Sequence, residues 1–203
     1  MAIFGGSLSG TVSAMPSKSM SHRALISASL CNGISHIKNF ALSEDVSATL
    51  RCVEALGAKA AHGKNAVDIH GISVPVSHAV LPCAESGTTY RLLYPVAPII
   101  AERAEFSLAP SLERRPMEPL ISLLQSKGVK ADKYSVSGKF SHGDFHIAGD
   151  VSSQFISGLI FALSMLDGQS RIIPTTPIQS AGYIEMTRSC LHAFGGSTAW
   201  EDD

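Results

Sequence analysis

Ser17-Lys18-Ser19-Met20-Ser21-His22-Arg23 runs directly into Ala24-Leu25-Ile26-Ser27-Ala28-Ser29-Leu30, and this change from a polar, cationic front to an apolar run decides how the chain is read. Pro16 suits a helix entrance, where its fixed φ and missing N–H cost nothing. Asn32-Gly33 is a stop, so the stretch predicts a helix over Lys18–Leu30. That helix is apolar on nearly every side, which argues for burial rather than a place on the surface. Its front carries two cations and two hydroxyls beside free backbone N–H groups, a natural seat for a phosphate or carboxylate.

The same signature returns twice. Ser86-Gly87-Thr88-Thr89-Tyr90-Arg91 opens Leu92-Leu93-Tyr94-Pro95-Val96-Ala97, and Ser152-Ser153-Gln154-Phe155-Ile156-Ser157 opens Gly158 to Leu166. A second helix follows each front and stops at Gly57, Gly128 and Gly195. Both sets of markers keep a period of roughly 67 residues.

Strands are expected at Ile34–Phe40, Ala58–Ala61, Ala66–Ile72, Phe106–Leu108, Val129–Lys133, Phe145–Ile147 and Ser170–Ile173. A Gly63-Lys64-Asn65 turn joins the second and third of these, and residues 1–14 form a lead-in strand. The chain is therefore read as α/β, a single domain over 1–203 built of three βαβαββ repeats at about 15–80, 81–148 and 149–203. Because the first helices are apolar all round, the predicted arrangement is an inside-out prism with buried helices and outer sheets.

Composition narrows the partners. A net charge of −1 offers no field for nucleic acid or an anionic membrane, so anion binding has to be local. Cys31, Cys52, Cys83 and Cys190 are scattered without a CxxC pair and read as reduced thiols of a cytoplasmic protein. Residues 1–7 carry no secretion signal, and prolines interrupt the most apolar run, Leu92–Ile100. His142, Asp144 and His146 alternate on one strand face but read as solvated residues, so neither metal nor cofactor is expected.

Threefold pseudosymmetry gathers the helix fronts at one end. That end carries Lys18, Ser19 and Arg23, then Ser86, Gly87, Thr88 and Arg91, then Ser152, Ser153 and Gln154. The turns opening the second helices add Arg115, Ser180 and Tyr183. A cationic mouth rich in hydroxyl and amide donors suits a phosphorylated polyol or an anionic acid.

Taken together, Ser17–Arg23, Ser86–Arg91, Arg114-Arg115-Pro116-Met117 and Ser152–Phe155 resemble the enolpyruvyl transferases. The likeness runs from about Gly10 to Gly196 and favours the branch that joins phosphoenolpyruvate to the 5-hydroxyl of shikimate 3-phosphate, releasing phosphate. The branch that loads UDP-N-acetylglucosamine has Lys-Asn where this chain has Lys18-Ser19, and a reactive cysteine where it has Ala109-Pro110-Ser111.

The resemblance implies that Lys18 is catalytic and sits between both substrates. Shikimate 3-phosphate would be held by Lys18, Ser19, Arg23, Ser152, Ser153, Gln154, Ser180 and Tyr183. Phosphoenolpyruvate would meet Lys18, Gly87, Arg115 and Gln154, with Arg91 in support. It also implies a second domain bearing the acidic catalytic groups; the chain ends at Asp203, before that domain, and resembles the N-terminal half, with residues 1–14 near the hinge. Such a half would not turn over alone. The alternative is a module that binds a phosphorylated ligand without catalysis.

Overall fold

The computed structural model describes residues 2–201 apart from 3, 4, 8, 41, 64 and 65. The first repeat comprises α1 (Lys18–Leu30), β1 (Ile34–Lys38), α2 (Glu44–Ala55), β2 (Lys59–His62) and β3 (Ala66–His70). The second runs β4 (Val76–Ala84), α3 (Gly87–Leu93), α4 (Ala97–Ile100), β5 (Ala101–Leu108), α5 (Pro110–Glu113), α6 (Glu118–Ser126), β6 (Lys130–Ala131) and β7 (Ser135–Ser137). The third contains β8 (Asp144–Ile147), α7 (Ser153–Leu163), β9 (Arg171–Pro174) and α8 (Ala181–Ala193).

One sheet plan serves all three. The second repeat shows it whole, in the order β4-β5-β7-β6, with β4 parallel to β5 and the remaining pairs antiparallel. The first sheet, β1-β3-β2, has the last three positions of that plan, and the parallel pair β8-β9 has the first two. Register separates the faces. Val67 and Ile69 are buried, while His36 pairs with Asp68 across the exposed face at 2.7 Å.

Helices meet one another inside. α1 packs on α2, α3 and α8, and α7 packs on α3 and α8. Every residue of α7 except Gln154 is buried. The crossing of α7 over α3 requires Gly158, because a Cβ there would lie 2.6 Å from the Arg91 carbonyl oxygen.

The second helices close alike. Gly57, Gly128 and Gly195 have φ of 107°, 89° and 87°, a left-handed conformation that favours glycine. The next residue in each case donates to a carbonyl five positions back: Ala58 to Val53 at 3.0 Å, Val129 to Leu124 at 3.1 Å, Gly196 to Leu191 at 3.0 Å. The repeat period rests on this shared helix ending.

The structure corrects several element assignments. β4 has no counterpart among the expected strands; it holds Pro82, which discourages a strand reading, and proline is tolerated there because β4 is an edge strand. The strand at Phe145–Ile147 opens the third repeat instead of closing the second, whose last strand is β7. Described residues from 2 to 14 lie in no strand, contrary to the lead-in expected there: they are exposed and no ladder takes up their backbone groups. Ile3, Phe4 and Leu8 of that segment, and Lys64 and Asn65 of the expected turn, lie outside the described residues.

Candidate functional site

The fronts of α1, α3 and α7 are capped by serines: Ser17 accepts from the Met20 amide, Ser86 from Thr89 and Ser152 from Gln154. Side chains then tie these fronts into one ring.

Between the first and third repeats stands Arg23, 1% exposed. Its Nε donates to Thr187 Oγ1 at 2.7 Å, Nη1 to the Ser19 carbonyl at 2.9 Å, and Nη2 to the Tyr183 carbonyl at 3.0 Å and Ser157 Oγ at 3.4 Å. No described carboxylate pairs with it. Burial therefore pulls the guanidinium below the usual arginine range. The Tyr183 ring lies 5.9 Å from its Cζ, and Ser180, just ahead, holds a left-handed φ of 57° with no capping bond.

Between the third and second repeats, Gln154 is fixed at both ends of its amide. Its Oε1 accepts from Arg91 Nη1 at 3.2 Å and its Nε2 donates to Thr88 Oγ1 at 2.9 Å. Arg91 also donates to the Pro116 carbonyl at 3.2 Å and lies over the Phe155 ring, so it acts as a strut. Arg115 lies against Gly87: a Cβ added to that glycine would be 2.5 Å from Arg115 Nη1. Arg115 is exposed; its amide donates to the Leu112 carbonyl at 3.0 Å, and its guanidinium makes no hydrogen bond or ion pair among the described residues.

Between the first and second repeats, Lys18 Nζ pairs with Asp45 Oδ2 at 2.7 Å, with the lysine side chain 55% exposed. Behind it runs a buried polar line. His22 Nδ1 lies 2.6 Å from Thr49 Oγ1, which lies 2.6 Å from Thr89 Oγ1, which donates to Ser86 Oγ at 2.7 Å. His22 is 1% exposed, and burial pushes its pKa down to about 4 against a smaller upward pull from Asp45.

The ring thus brings Lys18, Arg23, Gly87, Arg91, Arg115, Gln154 and Tyr183 into one connected set of contacts, with Ser19, Ser152 and Ser153 on the same helix fronts. Ser153 and Ser180 keep side-chain hydroxyls that bond to no described residue. Sequence reasoning did not single out Asp45, nor Thr49 and Thr187, the buried threonines that meet His22 and Arg23. One signal was present: Thr49 and Thr187 each stand eight residues before the glycine that ends their helix.

Elsewhere, Asp144 takes a bidentate pair from Arg171, at 2.9 and 2.7 Å, which holds its carboxyl below the usual range. A shallow groove of about 370 Å³ lies between α6 and β8 beside it. No group of three His, Cys, Asp or Glu among the described residues is placed to hold a metal.

The profile of the family described as EPSP synthase (3-phosphoshikimate 1-carboxyvinyltransferase) matches residues 4–201. The 3-phosphoshikimate 1-carboxyvinyltransferase of Clostridium beijerinckii is 35% identical, over 96% of this chain and 48% of that protein. That of Methanocorpusculum labreanum is 40% identical, over 97% and 49%. The solved EPSP synthase of Acinetobacter baumannii superposes with a TM-score of 0.77 at 24% identity, over 95% of this chain and 46% of that one, which shows a shared fold. The chain spans about half the length of the curated relatives it matches.

Proposed function

The chain belongs to the EPSP synthase family, and on that footing we propose that it forms the domain of a two-domain, cytoplasmic enzyme that seats shikimate 3-phosphate and one side of the phosphoenolpyruvate site. The observation that carries this reading is Arg23: a buried cation whose hydrogen bonds go only to neutral acceptors is a seat for an anion. Ser152, Ser153 and Ser180 turn hydroxyls toward the phosphate of that substrate. Ser19, Gln154 and Tyr183 border its ring. Arg115, beside the bare Cα of Gly87, meets phosphoenolpyruvate, and Arg91 holds Gln154 in place between the two.

Lys18 stands at the junction, with Asp45 holding its ammonium. In the full reaction the 5-hydroxyl loses its proton as its oxygen bonds to C2 of phosphoenolpyruvate, while a proton is delivered to C3. Loss of phosphate and of a C3 proton then restores the double bond. This chain supplies the seat and the lysine. The acid that protonates C3 belongs to the other domain, so the 203-residue chain alone releases no phosphate.

Calorimetric titration with shikimate 3-phosphate tests the reading. The unaltered chain binds it, and Lys18→Met and Arg23→Met each weaken binding by about tenfold or more, the value of one hydrogen bond to a charged group. Wild-type affinity in both folded variants, or no binding by the unaltered chain, would overturn it.

A further inference from the structure

Ser152, Ser153 and Ser180 are carried on two loops that leave one parallel pair of strands. β8 and β9 stay in register as far as Ile147 and Pro174, and the Thr175 amide still donates to the Ile147 carbonyl at 2.9 Å. There the ladder ends, and no strand is left to take the amides of Gly149 and Asp150. The Thr176 side chain does so instead. Its Oγ1 accepts from the Gly149 amide at 2.9 Å and the Asp150 amide at 3.3 Å, and donates to Asp150 Oδ1 at 2.7 Å. One hydroxyl thus engages its proton and both lone pairs, bridging 26 and 27 residues of sequence.

The two loops then close on each other. The Gln179 amide donates to the Gly149 carbonyl at 3.0 Å, so the residue before Ser180 rests on the segment that leads to Ser152. Only glycine allows that approach: a Cβ on Gly149 would lie 2.7 Å from the Thr176 carbonyl oxygen and 3.1 Å from Ile178 Cα. Pro177 fixes its own φ and holds Thr176 to extended backbone, which leaves the second loop little freedom. Ser153 is 8% exposed, and its hydroxyl bonds to no described residue.

We infer that Thr176 and Asp150 are positioning residues: their clamp holds the loop before α7 to the loop before α8, so that Ser152, Ser153 and Ser180 meet the phosphate of shikimate 3-phosphate as one preformed set. The inference rests on the substrate reading proposed above. A seat ordered in advance removes the entropy loss of fixing two loops on binding, and the benefit falls on the phosphate end of the ligand alone.

The ratio of the affinities for shikimate 3-phosphate and for shikimate isolates that end, with calorimetric titration of the 203-residue chain reading the first and displacement the second. Thr176→Val lowers the ratio about fivefold, and Thr176→Ser, which keeps the hydroxyl, restores it. Asp150 is exposed, so Asp150→Ala breaks the same clamp without touching the core. It lowers the ratio about threefold, while Asp150→Asn, which keeps an acceptor oxygen, does not lower it. An unshifted ratio in Thr176→Val overturns the inference, and so does an equal loss for both ligands, the mark of a purely structural role. A higher ratio in Asp150→Ala also overturns it, since Asp150 would then act only as a like charge near the phosphate. An unaltered chain that favours shikimate 3-phosphate no more than shikimate, or binds neither, sinks the underlying reading as well.

Discussion

The seam joining α1, α2 and α3 and the seam joining α1, α7 and α8 are built on equivalent threonines, Thr49 and Thr187, yet they differ in charge. At the first, Thr49 meets a neutral imidazole and another hydroxyl. At the second, Thr187 accepts from the Arg23 guanidinium and lies 2.8 Å from Ser157 Oγ. The neutral seam pairs its hydroxyls with one another and leaves the buried His22 Nε2 without a partner among the described residues. The cationic seam gives the Arg23 guanidinium four hydrogen bonds, all to neutral acceptors, and pairs its charge with no described carboxylate. A threefold scaffold therefore becomes an asymmetric site through what surrounds two matching threonines.

Acid separates the seams most. The unfolded chain protonates His22 near pH 6.5 and the folded protein near pH 4, so the unfolded state binds more protons between those values. Stability is full above pH 6.5 and falls as pH drops toward 4, by on the order of 3 kcal/mol from this residue. Urea denaturation across that window in the unaltered chain and in His22→Asn measures the difference; equal slopes would mean that the neutral seam does not titrate.

Next, Thr187→Val should destabilise by about 2–3 kcal/mol, because it strands an N–H of a buried cation, while Thr49→Val should cost about 1–2 kcal/mol, the range for neutral groups. Equal losses in chemical denaturation would erase the distinction.

The smallest effect concerns the fronts of the second helices. Ser43 caps α2 from an extended conformation and accepts from the Val46 amide, whereas Ser180 holds φ 57° before α8 without a cap bond. Ser180→Gly should relieve about 1 kcal/mol of left-handed strain and raise Tm by about 2–4 °C. An unchanged Tm would show that the conformation costs nothing.

Much of this was legible along the chain. The apolar all-round helix after Lys18, its returns after Ser86 and Ser152, and the stops at Gly57, Gly128 and Gly195 are signals carried by neighbouring residues. β4 was not legible, since Pro82 speaks against a strand until β5 is known to lie on one side only. Nor was the parallel pairing of β8 with β9, which takes Phe145–Ile147 out of the repeat it follows in sequence.

By itself, the sequence determined the repeat, the buried first helices and the residue types at their fronts, because helix propensity, capping and apolar periodicity act over a few residues. Only the tertiary structure decided that Arg23 is sealed against a threonine 164 residues away, and that His22, Thr49, Thr89 and Ser86 meet in one buried line of polar contacts. Those partners are chosen by how the helices cross, and a crossing depends on side chains from all three repeats at once.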